Sequence, residues 1–223
     1  MGRAKFVLIV ILTLFAGTVF GAAPDGPLTF QDAAGRTIRL EKPPERILAI
    51  GHGPQIIAHL MFMFPESRSR FIGWERRGRI ASEFIPLIDP DFDKRYFTDP
   101  NTGVEEVAAS HPDLVLIRGF VTDPKGDALE KVGIPVAYLG LENPEQYRKD
   151  IELAGLILGN PGRAAEINRF FQERLDRIER ALAGLEDARK PSVFLAMTMS
   201  RGGKIAVRAP APSWIQTVMV RLA

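Results

Sequence analysis

The sequence predicts an α/β fold built around a mostly parallel sheet. Short apolar runs typical of buried strands alternate along the chain with helical segments, as in successive βα units. Residues 162–183 carry a long apolar stripe at helical spacing, which predicts one helix much longer than the others. The composition, 46% hydrophobic and 25% charged, is that of an ordinary globular protein.

The first elements predicted are a hairpin, two strands and a helix. Residues 28–40 alternate loosely around an Ala-Gly turn, which favours a short hairpin. The apolar run at residues 46–50 predicts a strand buried on both faces. Residues 55–64 follow as an apolar helix with Pro54 near its first turn, and residues 71–74 predict a second strand.

Two further βα units are predicted in the middle of the chain. A helix near residues 104–110 precedes a buried strand at residues 113–117. A second helix near residues 127–132 precedes the apolar strand at residues 133–139. Strands separated in this way by helices pair in parallel.

Two helices follow without a strand between them. Asn143-Pro144 and Asn160-Pro161 are both start signals, a capping side chain followed by proline. The apolar stripe of the second helix consists of Ile167, Phe170, Phe171, Leu175, Ile178 and Leu182. Beyond Pro191 the sequence predicts strands at residues 193–197 and 204–207 and a helix from Ser213.

The first 21 residues have the features of a cleavable secretory signal peptide. Arg3 and Lys5 precede an apolar stretch at residues 6–20, and small residues favour cleavage before Ala22. An N-terminal membrane anchor is the alternative, but the apolar stretch is short for a span. We therefore expect an exported protein located in a periplasm.

Composition excludes several classes of function. The chain has no cysteine, which removes disulfide scaffolds, thiolate metal sites, thiol nucleophiles and lipidation at a leader cysteine. The net charge is +2, but Arg3 and Lys5 lie in the leader, so 27 basic and 27 acidic residues remain in the rest. A mature chain with this balance does not predict a nucleic-acid partner.

Three motifs that suggest chemistry are incomplete. Gly51-His52-Gly53 follows a strand, but Ile56 stands where a dinucleotide site needs its third glycine. The acidic residues at 89, 91 and 93 lack the glycine and the final glutamate of a calcium loop, which favours a solvated acidic loop. Ser110-His111 has no nucleophile-elbow context, so His111 is predicted at a helix end. No catalytic residue is predicted.

The loops at the carboxyl ends of the predicted strands are the best candidates for a binding site, because open α/β sheets hold their ligands there. A histidine in such loops is able to ligate a metal, an aromatic ring to stack on a flat ligand, and an arginine to pair with an anion. The candidates from this argument are Gly51, His52, Gly53, Pro54, Trp74, Arg76, Arg77 and Arg118, with the loop at residues 140–142 beside them. For each residue taken alone, simple packing or solvation is the alternative.

Several segments, taken together, resemble one protein family. They are Asp32-Ala33-Ala34-Gly35-Arg36, the run KPPERILAI at residues 42–50, the run VEEVAASHPDLVLI at residues 104–117, Gly133-Ile134-Pro135-Val136, the long helix, and Ser192-Val193-Phe194-Leu195. In order and spacing they resemble the periplasmic substrate-binding proteins of ABC importers for ferric siderophores, haem and vitamin B12. The similarity extends from about Thr29 to Leu222.

The resemblance implies two α/β lobes with mostly parallel sheets, joined by one long α-helix with little hinge motion, and a ligand held between them. The first lobe would occupy residues 28–145, the helical connector residues 146–190, and the start of the second lobe residues 191–223. That second lobe is expected to be incomplete. Residues 28–183 are then expected to form the ordered unit, with a loosely packed tail.

The function implied by the resemblance is capture of a metal chelate and its delivery to a membrane permease and its ATPase, by a monomer without a cofactor. The ligand stays open among a ferric siderophore, haem, cobalamin and an oxyanion such as molybdate, and the arginines favour an anion. Thr198, Arg201 and Ser213 would contribute from the second lobe. Direct ligation of a metal by the protein is not expected, although His52 is the candidate. An exported α/β enzyme without a recognisable motif is the alternative.

Overall fold

The computed structural model describes residues 26–76, 84–186, 191–212 and 214–222. The proposed signal peptide lies outside these residues. Within them, no helix combines the length and the apolar character that crossing a bilayer requires.

A five-stranded parallel sheet is the centre of the fold, which confirms the predicted class. Its strands are β3 (Ile47–Ile50), β4 (Phe71–Glu75), β5 (Tyr96–Thr98), β6 (Leu114–Arg118) and β7 (Val136–Leu139), and their spatial order is β5-β4-β3-β6-β7. All four pairings are parallel. The central strand β3 is fully buried, as expected for a strand covered by helices on both faces.

The predicted hairpin forms beside this sheet as β1 (Leu28–Gln31) and β2 (Thr37–Leu40), paired antiparallel. The Asp32 side chain fastens the hairpin turn to β7. It accepts hydrogen bonds from the backbone N–H groups of Arg36 at 3.0 Å and Tyr138 at 3.2 Å, and it pairs with the Arg36 guanidinium at 2.9 Å. The outer edge of β7 is thereby covered.

Helices cover both faces of the sheet. Those between the strands are α1 (Pro54–Met61), α2 (Ser67–Arg70), α3 (Ile85–Ile88), α4 (Val104–Ala109) and α5 (Pro124–Lys131), with a 3₁₀ turn at Phe92–Lys94. One apolar cluster joins α1 to one face of the sheet, and a second joins α4 and α5 to the other. The predicted solvated acidic loop is wrong for Asp89, which is 2% exposed and pairs with Arg95 at 2.7 Å.

The predicted pair of consecutive helices is confirmed as α6 (Pro144–Leu158) and α7 (Pro161–Leu182). Asn143 and Asn160 cap them, each side chain accepting a backbone N–H in the first turn. The two helices approach closely at Gly155, where an added Cβ would lie 2.6 Å from the Ala164 side chain. Of the apolar stripe on α7, Ile167 is buried, whereas Phe170, Phe171 and Ile178 are exposed.

Beyond residue 190 the structure corrects the predicted elements. Residues 191–196 are not a strand; β8 begins at Met197 (Met197–Arg201) and pairs antiparallel with β9 (Lys204–Arg208). These two strands form a sheet of their own. Helix α8 (Ile215–Leu222) follows close to its predicted start. Phe194 is 85% exposed, as expected for a segment with few packing partners.

Candidate functional site

The candidate site lies at the carboxyl end of the five-stranded sheet, between β3 and β6. From β3 the chain crosses through α1 to β4 on one side, and from β6 it crosses through α5 to β7 on the other. The loops that follow β3 and β6 therefore diverge and leave a crevice, which is where α/β sheets of this kind hold ligands.

The loop after β3 is shaped by its two glycines. Gly51 has φ of +88° and Gly53 of +67°, values that strain any residue with a Cβ. Between them, the His52 side chain is exposed, as a ligand-contacting residue must be. Pro54 is buried in the first turn of α1, so its role is to start the helix.

Arg118, the last residue of β6, connects the loop after β3 to the loop after β7. Its Nη1 donates to the Glu142 Oε1 at 2.7 Å, and its Nε donates to the His52 carbonyl oxygen at 3.2 Å. The guanidinium lies against Gly53, where an added Cβ would lie 3.3 Å from the Nε. The structure therefore brings together His52 and Arg118, as predicted, and adds Glu142, which belongs to the predicted loop at residues 140–142.

A buried carboxylate beneath the loop after β3 was not predicted from the sequence. Glu75 ends β4, and its side chain is 1% exposed. Its Oε2 accepts the Gly51 N–H at 3.1 Å and lies 3.4 Å from the Lys125 Nζ in the first turn of α5. The sequence does hold one indication of this site: Glu75 is a single acidic residue at the end of an otherwise apolar strand. A charge in such a position is buried and needs a partner.

Trp74 is not a ligand-facing residue, which corrects the prediction. It is 1% exposed and lies in the core, where its ring stacks on Phe71 at 5.9 Å and meets Phe97 edge-on at 4.9 Å. The pairing of β4 with β5 continues through Glu75, so Trp74 lies inside the strand and not in the loop beyond it. Arg76 begins that loop and lies over the Phe97 ring at 4.5 Å.

Of the predicted residues of the later segment, Thr198 and Arg201 lie in described residues, and they are not joined to this site. Thr198 is exposed on β8, and Arg201 ends the same strand, in a sheet separate from the five-stranded one. Arg77 and Ser213 lie outside the described residues. The contribution of all four to a ligand site stays a prediction.

The loop after β7 is held by a second buried carboxylate. Asp150 of α6 is 1% exposed, and its Oδ2 accepts the Leu141 N–H at 2.7 Å. Leu141 adopts φ of +53°, which is uncommon for a residue with a side chain. Burial raises the pKa of Asp150 to about 6, against the opposing effect of the N–H groups that it accepts.

The described part of the chain contains no cluster of three or more histidine and acidic side chains able to hold a metal ion. A groove of about 470 Å³ lies between α6 and α7, lined by polar side chains such as Arg148, Glu152 and Asn168. It is away from the strand ends and shares no residue with the crevice, so we do not assign it to the same site.

Comparison with known proteins gives one family match. The model of a family described as periplasmic binding protein matches residues 94–214, more than half of the chain. No curated protein matches the sequence.

Several solved structures share the fold of this chain at low sequence identity. The molybdate-bound periplasmic protein MolA from Haemophilus influenzae has a TM-score of 0.61 at 13% identity, covering 73% of this chain and 56% of its own. The TroA-like protein FepB from Veillonella parvula has a TM-score of 0.59 at 24% identity, covering 76% and 52%. A periplasmic haem-binding protein from Pseudomonas aeruginosa has a TM-score of 0.54 at 18% identity, covering 74% and 56%. The chain thus spans about half the length of these structures, and the likeness shows the fold.

Proposed function

Since this chain belongs to the periplasmic binding protein family, we propose that it is the substrate-binding component of an ABC importer. In this role it captures a small ligand in the periplasm and delivers it to a membrane permease driven by an ATPase. The observation that carries the proposal is the junction of His52, Arg118 and Glu142 at the topological switch point of the sheet. The family consists of binding proteins, and an exported α/β enzyme is no longer favoured.

The same proposal implies that the chain is divided into a first lobe, a helical connector and the start of a second lobe. Residues 28–145 would be the first lobe, residues 146–190 the connector, and residues 191–223 the start of a second lobe. The charge-balanced composition supports a small-molecule ligand and no nucleic acid. The leader at residues 1–21 supports export to the periplasm.

We propose a metal chelate as the ligand, in the class of ferric siderophores, haem and cobalamin. Two described cations at the crevice already have carboxylate partners, since Arg118 pairs with Glu142 and Lys125 with Glu75. A small oxyanion needs several donors or cations that it does not have to share. A larger chelate gains most of its affinity from contact area, and the exposed His52 and Phe120 supply such contacts.

Titration of the full chain with four compounds tests this proposal: haemin, ferrioxamine B, cyanocobalamin and molybdate. We expect saturable binding of one of the three chelates by isothermal calorimetry. His52→Ala should weaken that binding at least tenfold, which corresponds to about 1.4 kcal/mol, with an unchanged unfolding midpoint.

His111→Asn is the matched control. His111 is also an exposed histidine, but it lies before the first residue of β6, at the opposite end of the strand from Arg118. Asparagine tolerates its φ of +49°. Binding of molybdate but of none of the three chelates would contradict the proposed class of ligand. Equal losses of affinity in His52→Ala and His111→Asn would contradict the proposed position of the site.

A further inference from the structure

We propose that Asp150 is a positioning residue for the ligand crevice: by holding the β7–α6 loop, it places Glu142 against Arg118 and so sets the orientation of the guanidinium. The proposed coupling is a property of the fold. Its effect on ligand affinity rests on the proposed function.

The Asp150 carboxylate acts on the loop through the backbone. It accepts the N–H of Leu141 at 2.7 Å. On the helix, the Gln146 amide nitrogen donates to the other oxygen at 2.9 Å. Because Leu141 is held at φ of +53°, a conformation that costs energy for a leucine, the loop needs an acceptor of this kind to keep its shape.

The loop leads directly to the crevice. Glu142 follows Leu141, and its Oε1 accepts from the Arg118 Nη1 at 2.7 Å. The same guanidinium donates through its Nε to the His52 carbonyl oxygen at 3.2 Å. A change at Asp150 therefore reaches the loop after β3 through the Leu141 N–H, the covalent chain from Leu141 to Glu142, and the two hydrogen bonds of the Arg118 guanidinium.

The surroundings of Asp150 leave few other groups to carry this effect. The phenol of Tyr147 lies on the same helix, and its pKa is raised by burial and by the Asp150 charge. Glu145, Arg148 and Lys149 are at least 49% exposed at their side chains and pair with one another or with Glu152. From the loop, Glu142 is engaged with Arg118.

Protonation of Asp150 perturbs this arrangement within an accessible pH range. Burial raises the pKa of this carboxyl to about 6. A protonated oxygen becomes a donor facing N–H donors, so at least one of these hydrogen bonds must break or rearrange. The Gln146 amide is able to turn its oxygen toward the new O–H, and the Leu141 N–H then donates to a neutral carbonyl oxygen, a weaker acceptor than a carboxylate, so the loop is held less firmly.

Nuclear magnetic resonance of the full chain, titrated from pH 4.5 to 8, tests the coupling without a ligand. We expect the Leu141 amide and the Arg118 Nε resonances to shift with a common midpoint near pH 6. Both transitions should vanish in Asp150→Asn. Glu152→Gln, an exposed carboxylate two residues further along α6, is the control and should keep both.

Glu142→Ala separates the two steps, because it removes the acceptor of the Arg118 Nη1, and it does not require the buried substitution to fold. In this variant the Leu141 amide should still titrate while the Arg118 Nε should not. An Arg118 Nε that shows no transition near pH 6 in the wild-type chain, or that titrates unchanged in Glu142→Ala, would overturn the proposal.

Affinity provides a second readout that also separates this proposal from the proposed function. Binding of haemin should weaken from pH 7.5 to pH 5 at least threefold more in the wild-type chain than in Asp150→Asn, since any pH dependence that comes from other groups at the crevice is common to both proteins. If the resonances are coupled but none of haemin, ferrioxamine B and cyanocobalamin binds, the proposed function fails while the positioning role stands. If a chelate binds with the same pH profile in both proteins, the positioning role fails.

Discussion

Asp32→Ala removes the carboxylate that fastens the β1–β2 hairpin to the edge of the sheet. The Asp32 side chain is fully buried, and its loss leaves the Arg36 guanidinium and the Tyr138 N–H without this acceptor. Losing a charge-assisted hydrogen bond costs about 1.5–3 kcal/mol, and a buried N–H without an acceptor costs about 1–3 kcal/mol. We therefore expect the free energy of unfolding to fall by about 4 kcal/mol, a large part of the stability of a typical domain.

Urea denaturation followed by circular dichroism measures this loss. With a slope of about 2 kcal/mol per molar, the midpoint should fall by about 2 M. Asp91→Ala is the control, because Asp91 also pairs with a cation, Lys94 at 2.6 Å, but entirely at the surface. Its midpoint should equal that of the wild type, since solvent screens such a pair.

The outcome that would refute this reasoning is a midpoint shift below about 0.5 M in Asp32→Ala. It would mean that water replaces the carboxylate at the Tyr138 N–H and that the hairpin does not protect the edge of β7. A large shift in Asp91→Ala would instead show that the surface pair is not screened as assumed.

Three further predictions follow from buried groups. Burial raises the pKa of Asp150 to about 6 in the native state, so between about pH 4 and 6 the native chain binds a proton that the unfolded chain has released. The stability that this proton contributes is complete below about pH 4 and should be lost as the pH rises through 6. Urea midpoints should show this loss in the wild type but not in Asp150→Asn. Gly73→Ala would place a Cβ 2.6 Å from a backbone carbonyl carbon of β5, so it should lower the urea midpoint strongly, whereas Gly26→Ala, with open space around it, should not. In a Trp214→Phe background, Trp74 emission should resist acrylamide quenching, because its ring is buried; strong quenching would show that the ring is accessible to solvent.

The central strands of the sheet could be predicted from the sequence to a large extent. The strands β3, β6 and β7 are continuous apolar runs, and their burial on both faces follows directly from that pattern. The position of His52 and Arg118 near each other follows from topology, since both end parallel strands at one edge of the sheet. The strand β5 was missed because three residues beside charged neighbours give no periodic pattern.

The side-chain network of the site could not be predicted, for physical reasons that differ between residues. Trp74 was misplaced because the sequence does not show where the pairing of β4 with β5 ends. Asp150 looks like any acidic residue of a helix until the loop after β7 is seen to turn back onto it. The pairing of Glu75 with Lys125 joins residues fifty positions apart, and only the folded structure brings them together.

The order β5-β4-β3-β6-β7 also has a consequence for the folding pathway. The pairing of β6 with β7 closes a short loop, whereas the pairing of β3 with β6 closes one about three times as long, between Ile47 and Leu114. The longer closure costs about 1 kcal/mol more in chain entropy. We therefore expect β3–β4 and β6–β7 to form as separate units, and their docking along the β3–β6 seam to limit the rate. The crevice that carries His52 and Arg118 lies at the end of that seam, so it is complete only when folding of the sheet is complete.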